Sequence, residues 1–320
     1  MQTAVAAHLP VADLPSQRQL VDLEDGDQIS LELSTPPGWQ AEHPTVLILH
    51  GLCGSHEGAN LVRLAAKIVA QGGRAVRMNM RGCGSGKGLA RQLYHSGRSE
   101  DIFAALQALH AETPQSPLTL VGFSLGGNQV LKLAGELGGS AAQYLARVIA
   151  ICAPVDLHGC AAMLARPENR FYNRHFVRQL HADVLERHHF FPDLSKLDLP
   201  DKLTVYDFDD IYTAPQSGFA SADDYYTQTS AASFVPDITL PCHILFADDD
   251  PFIDASAFDG LRLASNVEVY HTTHGGHLGF LGTPWRPGGF RWMDTQVMRW
   301  LGLSEDFFTQ SDRGGAAAIG

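Results

Sequence analysis

A serine set between two glycines, Gly122-Phe123-Ser124-Leu125-Gly126, is where this sequence speaks most directly of chemistry. The apolar run 118–123 reads as a strand, and 125 to about 137 repeats apolar residues as a helix does. A serine at the sharp turn between them presents its hydroxyl, and glycines beside it allow backbone to approach where a Cβ would collide. The helix starting at Leu125 turns free amides toward that hydroxyl, which favours negative charge developing there. The chemistry that fits is acyl transfer through a covalent acyl-serine. A Gly/Ser turn without chemical role is the plainer alternative, and the strand before and helix after it weigh against that.

A serine hydroxyl attacks poorly until a base takes its proton, and in a nucleophile elbow the partners follow in the order serine, acid, histidine. Downstream, the strand 243–247 runs into Asp248-Asp249-Asp250-Pro251-Phe252-Ile253. Asp250 is the expected acid, since it stands just ahead of the apolar pair Phe252-Ile253; Asp249 is the runner-up and Asp248 a surface residue. The last strand, 267–271, leads into Thr272-Thr273-His274-Gly275-Gly276-His277. His277 is the expected base, aimed by the Gly275-Gly276 turn, with His274 second and His271 a strand-end residue. Two backbone amides would complete an oxyanion hole: that of Leu125, and that of Leu52 in His50-Gly51-Leu52, with Cys53 the neighbouring alternative.

Other chemistries fit less well. Histidines 271, 274 and 277 are spaced by three, but two adjacent glycines make a loop rather than a helix that could present ligands, so no metal is expected. Gly82-Cys83-Gly84-Ser85-Gly86-Lys87-Gly88 fails the phosphate-loop spacing, and no Ser or Thr follows Lys87; a mobile loop over the active site is expected instead. Cys53, Cys83, Cys152, Cys160 and Cys242 are scattered, with no CxxC pair, and read as free thiols of a reducing compartment.

These residues need a scaffold. Strands are expected at 28–33, as part of a hairpin, and at 46–49, 74–80, 118–123, 148–152, 243–247 and 267–271. Helices are expected at 61–69, 99–109, 125–137 and 291–301. Strands alternating with helices indicate a mostly parallel central sheet with helices on both faces, an α/β class. Between 154 and 235 strand signals fade, helical stretches appear at 157–166 and 174–188, and aromatics and histidines crowd together. A helical lid inserted into one domain explains this. The expected division is 1–153 and 236–303 for the two parts of the core, 154–235 for the cap, and 304–320 for a C-terminal tail.

Composition bounds the partners. The chain has 320 residues, 45% hydrophobic and 18% charged, enough to bury a substantial core. Its 23 basic residues against 35 acidic ones give a net charge of −12. That argues against nucleic acid, which needs a basic face, and against simple electrostatic docking on an anionic membrane; it leaves room for a local basic patch. Residues 1–15 lack the basic-then-apolar order of a signal peptide, and the longest uncharged stretch, 113–131, is broken by two prolines and three glycines. A cytoplasmic protein with no integral membrane segment is expected, its oligomeric state left open.

Several longer motifs carry a resemblance. They are Leu49-His50-Gly51-Leu52, Asn79-Met80-Arg81-Gly82-Cys83-Gly84, Tyr94-His95-Ser96-Gly97, and the elbow extended through Gly127-Asn128. Further on stand Phe208-Asp209-Asp210-Ile211-Tyr212-Thr213-Ala214-Pro215, Asp249-Asp250-Pro251-Phe252, and His274-Gly275-Gly276-His277-Leu278-Gly279-Phe280. In that order the sequence resembles the YheT-like branch of the α/β-hydrolase superfamily over most of its length. The resemblance implies an α/β-hydrolase fold, Ser124, Asp250 and His277 as the triad, and hydrolysis of short- to medium-chain carboxylic esters without metal or organic cofactor. Cys53 and His56 depart from the small or hydroxylated residues common after that His-Gly.

The expected function is therefore a serine carboxylesterase acting on a small-molecule or lipid-like acyl ester, with Phe171, Tyr172, Phe176, Phe190 and Phe191 supplying an apolar pocket or lid. A lipase or phospholipase, a thioesterase or an acyltransferase would use the same triad. A binding module on a hydrolase scaffold is the alternative of another class.

Overall fold

Apolar residues on both faces of each central strand build the sheet. In a computed structural model, which describes residues 2, 13–194, 199–200, 202–283, 285 and 289–303, β1 (Gln17–Asp22) and β2 (Gln28–Ser34) form the expected hairpin. They are followed by β3 (Thr45–Leu49), β4 (Arg74–Asn79), β5 (Leu118–Phe123), β6 (Arg147–Ile151), β7 (Cys242–Ala247) and β8 (Val267–Thr272). The eight strands lie in the order β1-β2-β4-β3-β5-β6-β7-β8. β1, β2 and β4 pair antiparallel, and every pair from β4 through β8 is parallel.

Helices cover both faces, as the strand–helix alternation predicts. Leu47 and Leu49 face α2 (Ser99–Glu112) and α3 (Leu125–Leu137), packing with Leu106 and Leu131. Val46 and Ile48 face the other way, onto α1 (Ala59–Ala70) and a C-terminal helix (Trp292–Leu301), against Leu64, Ile68 and Val297. Each such fully buried Leu or Ile contributes about 1.5–3 kcal/mol. The resulting α/β-hydrolase fold has a topological switch at β3 and β5. The chain leaves β3 toward β4 on one side and enters β5 on the other, opening a crevice at the carboxyl ends of the strands.

Between β6 and β7 the described residues form helices and no strand: α4 (Leu157–Ala165), α5 (Arg170–Phe190), a wide turn at Asp209–Thr213 flanked by short helical turns, and α6 (Ala222–Thr229). The helix Trp292–Leu301 is α7. α5 is longer than the expected 174–188. Its buried residues are Val177, Leu180 and Val184, so the apolar repeat marks only its middle. No described helix is long and apolar enough to cross a membrane. The expected tail at 304–320 and most of 1–15 lie outside the described residues.

Candidate active site

The elbow is built by close approach. Ser124 takes φ 53° and ψ −122°, a conformation that costs a non-glycine residue roughly 1–3 kcal/mol and needs surrounding structure to hold it. Its amide donates to Ile151 O at 2.8 Å, and its carbonyl accepts from the Asn128 amide at 3.2 Å. A Cβ on Gly122 would strike the Gly126 carbonyl, and one on Gly126 would lie 2.5 Å from His50 O. The glycines are therefore dictated by packing between strand, turn and helix.

Ser124, His277 and Asp250 come together from the ends of β5, β8 and β7. His277 Nε2 lies 2.9 Å from Ser124 Oγ, and Nδ1 lies 2.8 Å from Asp250 Oδ2. Asp250 is buried, and its Oδ1 accepts from the amides of Phe252 at 2.8 Å and Ile253 at 3.2 Å. The apolar pair after the acid thus orients it. Phe252 also packs against the His277 ring, centroids 4.7 Å apart.

Asp249, the runner-up acid, has a different task. Its Oδ1 accepts from the amides of Gly275 at 2.7 Å and Gly276 at 2.6 Å, fixing the turn that carries His277. His274 is exposed and lies 3.7 Å from Asp249, and His271 pairs with Asp248 at 3.1 Å. Cys152 lies beside Asp250 and His277, close enough for three ligands to surround an ion. Burial and the Asp250 charge raise its thiol well above the usual range. It is a neutral thiol, a poor partner for a cation.

His50 explains the His-Gly pair. Burial pushes its pKa down to about 4, so the ring is neutral. The Met80 amide donates to Nε2 at 3.2 Å, which assigns the proton to Nδ1; Nδ1 donates to Gly51 O at 2.8 Å. The Gly54 amide holds the same carbonyl at 3.1 Å. Carbonyl and N–H of a trans peptide point opposite ways, so fixing Gly51 O aims the Leu52 amide. The Cys53 amide instead donates to Tyr94 Oη at 3.0 Å. Among the two neighbours, Leu52 therefore keeps the available donor, and burial pushes the Cys53 thiol up to about 12, far from a nucleophile's.

A cavity of about 140 Å³ opens above Ser124, walled by Leu157, Leu164, Phe176, Leu180, Phe208 and Phe252. Phe190 and Phe191 line it as expected, whereas Phe171 is 73% exposed and Tyr172 packs edge-on against Phe252 outside it. A second cavity of about 290 Å³, lined by His50, Gly51, Ser55 and Asn60, meets the first at Leu52, Ser124, Phe176 and His277. Gly82, Lys87 and Gly88 line the first cavity, but their loop is tied down rather than loose. Ser85 Oγ donates to Glu32 at 2.7 Å and accepts from Asn79 at 3.0 Å, and Lys87 pairs with Glu186 on α5 at 2.9 Å.

Other motif residues are joints. Asn128 donates to Ser96 O and Thr229 O and accepts from the Ala231 amide, tying α3 to the helical segment. Arg81 is buried between Asp101 (2.7 Å), Asp27 (2.8 Å) and Asp25. Burial opposes its charge, yet the bonds to Asp101 and Asp25 hold its pKa above the usual value. Two cavity-lining carboxyls, Asp183 and Asp209, are each pushed up to about 6, chiefly by burial. Neither stood out in the sequence as a site residue in its own right, because burial across a cavity leaves no local pattern.

Residues 44–284 match the family model described as alpha/beta hydrolase fold. YheT of Escherichia coli (strain K12), whose name marks it as a candidate esterase, is 33% identical over 289 residues, covering 88% of this chain and 84% of that protein. Phospholipase ABHD3 of Mus musculus is 28% identical over 278 residues, 84% of this chain and 67% of its own. The solved structure of Est1E from Butyrivibrio proteoclasticus superposes with a TM-score of 0.58 at 15% identity, covering 89% of this chain and 98% of that one, a likeness of fold alone.

Proposed function

The chain belongs to the alpha/beta hydrolase family as an esterase- or lipase-type enzyme, and on that premise we propose that it is a serine carboxylesterase with Ser124 as nucleophile, His277 as base and Asp250 as the acid that orients it. The observation that carries this is the continuous relay from Asp250 Oδ2 through His277 to Ser124 Oγ, at 2.8 and 2.9 Å, at the mouth of an apolar cavity.

Ser124 Oγ attacks the ester carbonyl carbon while His277 Nε2 takes its proton. The amides of Leu52 and Leu125 receive the oxyanion. The tetrahedral intermediate expels the alkoxide, which takes that proton from His277, and water then repeats the sequence on the acyl-serine. Asp250 holds the Nδ1–H tautomer and stabilises the imidazolium. The cavity of about 140 Å³ is close in size to one that holds benzene, about six carbons, which fits a short- to medium-chain acyl group. Residues 154–235 serve as its cap. All five cysteines are free, in keeping with a cytoplasmic setting.

Labelling with a fluorophosphonate followed by intact mass tests the mechanism. One adduct is expected on the parent protein and none on Ser124→Ala; no adduct on the parent, or the same adduct on both, would sink it. Relatives named phospholipase and monoacylglycerol lipase support lipid esters as a second reading. Rates on oxygen esters, thioesters and phospholipids of graded chain length separate the two.

A further inference from the structure

The inner face of α5 walls the cavity over Ser124 through Phe176, Leu180 and Val184. Its outer face has a different composition. Phe171, Arg174, His175, Arg178, Ala182, Leu185 and His189 fall on one side of the helix at 3.6-residue periodicity, and all are exposed. Phe171 is 73% exposed and Leu185 71%. Phe171, Arg178 and Leu185 are two helical turns apart in succession, so the stripe runs about 21 Å.

The charge on this face is opposite to that of the chain. The protein carries −12 in total, yet the outer stripe holds Arg174 and Arg178 and no carboxylate. Of the acids of α5, Asp183 is exposed but lies on the cavity side, and Glu186 is paired with Lys87. Among the described residues, Arg174 and Arg178 form no ion pair, and Arg170 lies over the Phe171 ring, 4.9 Å from its centroid. Two large exposed apolar side chains flanked by arginines on one helical face supply the two contributions to interfacial binding, apolar area to bury and attraction to anionic lipid.

We propose that the outer face of α5 docks on the surface of an anionic lipid bilayer, seating Phe171 and Leu185 among the acyl chains and Arg170, Arg174 and Arg178 against anionic headgroups. The local excess of arginine on this face selects that occupant over a neutral surface. Docking would lay the cap of the ester-hydrolase site, on which reading the biological purpose rests, directly against a source of lipid. The docking geometry itself does not depend on that reading.

The test is co-sedimentation of the full chain with phosphatidylcholine vesicles made with and without phosphatidylglycerol. Binding is expected only with phosphatidylglycerol, falling as salt rises. Because each arginine near such a surface contributes about fivefold, Arg174→Gln with Arg178→Gln should weaken partition about 25-fold. Phe171→Ala with Leu185→Ala should weaken it independently. Hydrolysis of a soluble ester is followed in parallel and should be unchanged in both variants, which separates failure of docking from failure of catalysis. Equal partition to both vesicle types, or undiminished binding by both double variants, overturns the proposal. So does a concentration-dependent dimer in sedimentation velocity that the Leu185→Ala change dissolves, since the stripe would then belong to a second copy.

Discussion

Asp250→Asn isolates the role of a single oxygen. In the parent, two carboxylate oxygens serve three donors: Oδ1 takes the amides of Phe252 and Ile253, and Oδ2 takes His277 Nδ1. Asparagine has one oxygen and one NH₂. Turning the NH₂ toward the two amides would set donors against donors, so the oxygen stays there and the NH₂ faces His277 Nδ1. That nitrogen must then accept, and the ring proton moves to Nε2, where it points at Ser124 Oγ. A base that already holds its proton cannot take one from the serine. Loss of the correct tautomer in a triad is worth about 10⁴ in kcat, or about 5.5 kcal/mol of transition-state stabilisation. The assay is steady-state hydrolysis of a chromogenic ester at neutral pH, with Tm recorded to show that the fold survives. A loss below about tenfold with unchanged Tm would refute the relay, because an acid outside it leaves the tautomer alone. Asp249→Asn is the matched control. It keeps an oxygen for Gly275 and Gly276, and kcat should stay near the parent value.

Three further outcomes follow from the same geometry. His50→Ala removes one of the two donors that hold the Gly51 carbonyl, leaving the Gly54 amide, and loosens the direction of the Leu52 amide; kcat should fall, by up to the roughly 10²–10³ of losing one oxyanion donor, with KM nearly constant. Gly126→Ala places a methyl 2.5 Å from His50 O and 2.9 Å from Leu49 Cβ; urea unfolding should show a loss of at least about 1–3 kcal/mol, and an unchanged midpoint would contradict the packing. Asp209 is pushed up to about 6 by burial, against the lowering effect of bonds from Thr213 and Tyr226. The folded chain therefore keeps a proton there that the unfolded chain has released between pH about 4 and 6, so this group's contribution favours folding at low pH and is lost as pH rises through 6. Asp209→Asn should stabilise the protein at pH 7.5 by on the order of 2 kcal/mol and flatten that part of the stability profile; greater stability of the parent at pH 7.5 would reverse the assignment.

Much of the scaffold was legible because it is encoded locally. Leu118–Phe123 and Leu125–Leu137 have the bounds expected from an apolar run, a Gly-Ser-Gly turn and a helical repeat. α5 was only partly legible, since its outer face and both ends carry residues with no core to face.

By itself, the sequence determined the parallel scaffold, the elbow at Ser124, and the order in which an acid and a histidine must follow. Each depends on neighbours within about one helical turn or one strand, which set glycine demand and apolar period. Only the tertiary structure decided which of several adjacent groups meet. Asp250 and not Asp249 reaches His277, 27 residues on, because the Phe252 and Ile253 amides turn it inward. The amide of Cys53 is occupied by Tyr94, 41 residues away, leaving that of Leu52. The raised carboxyls of Asp183 and Asp209 and the basic apolar face of α5 arise the same way. Burial and exposure are set by what packs across a cavity, and residue spacing along the chain carries no record of it.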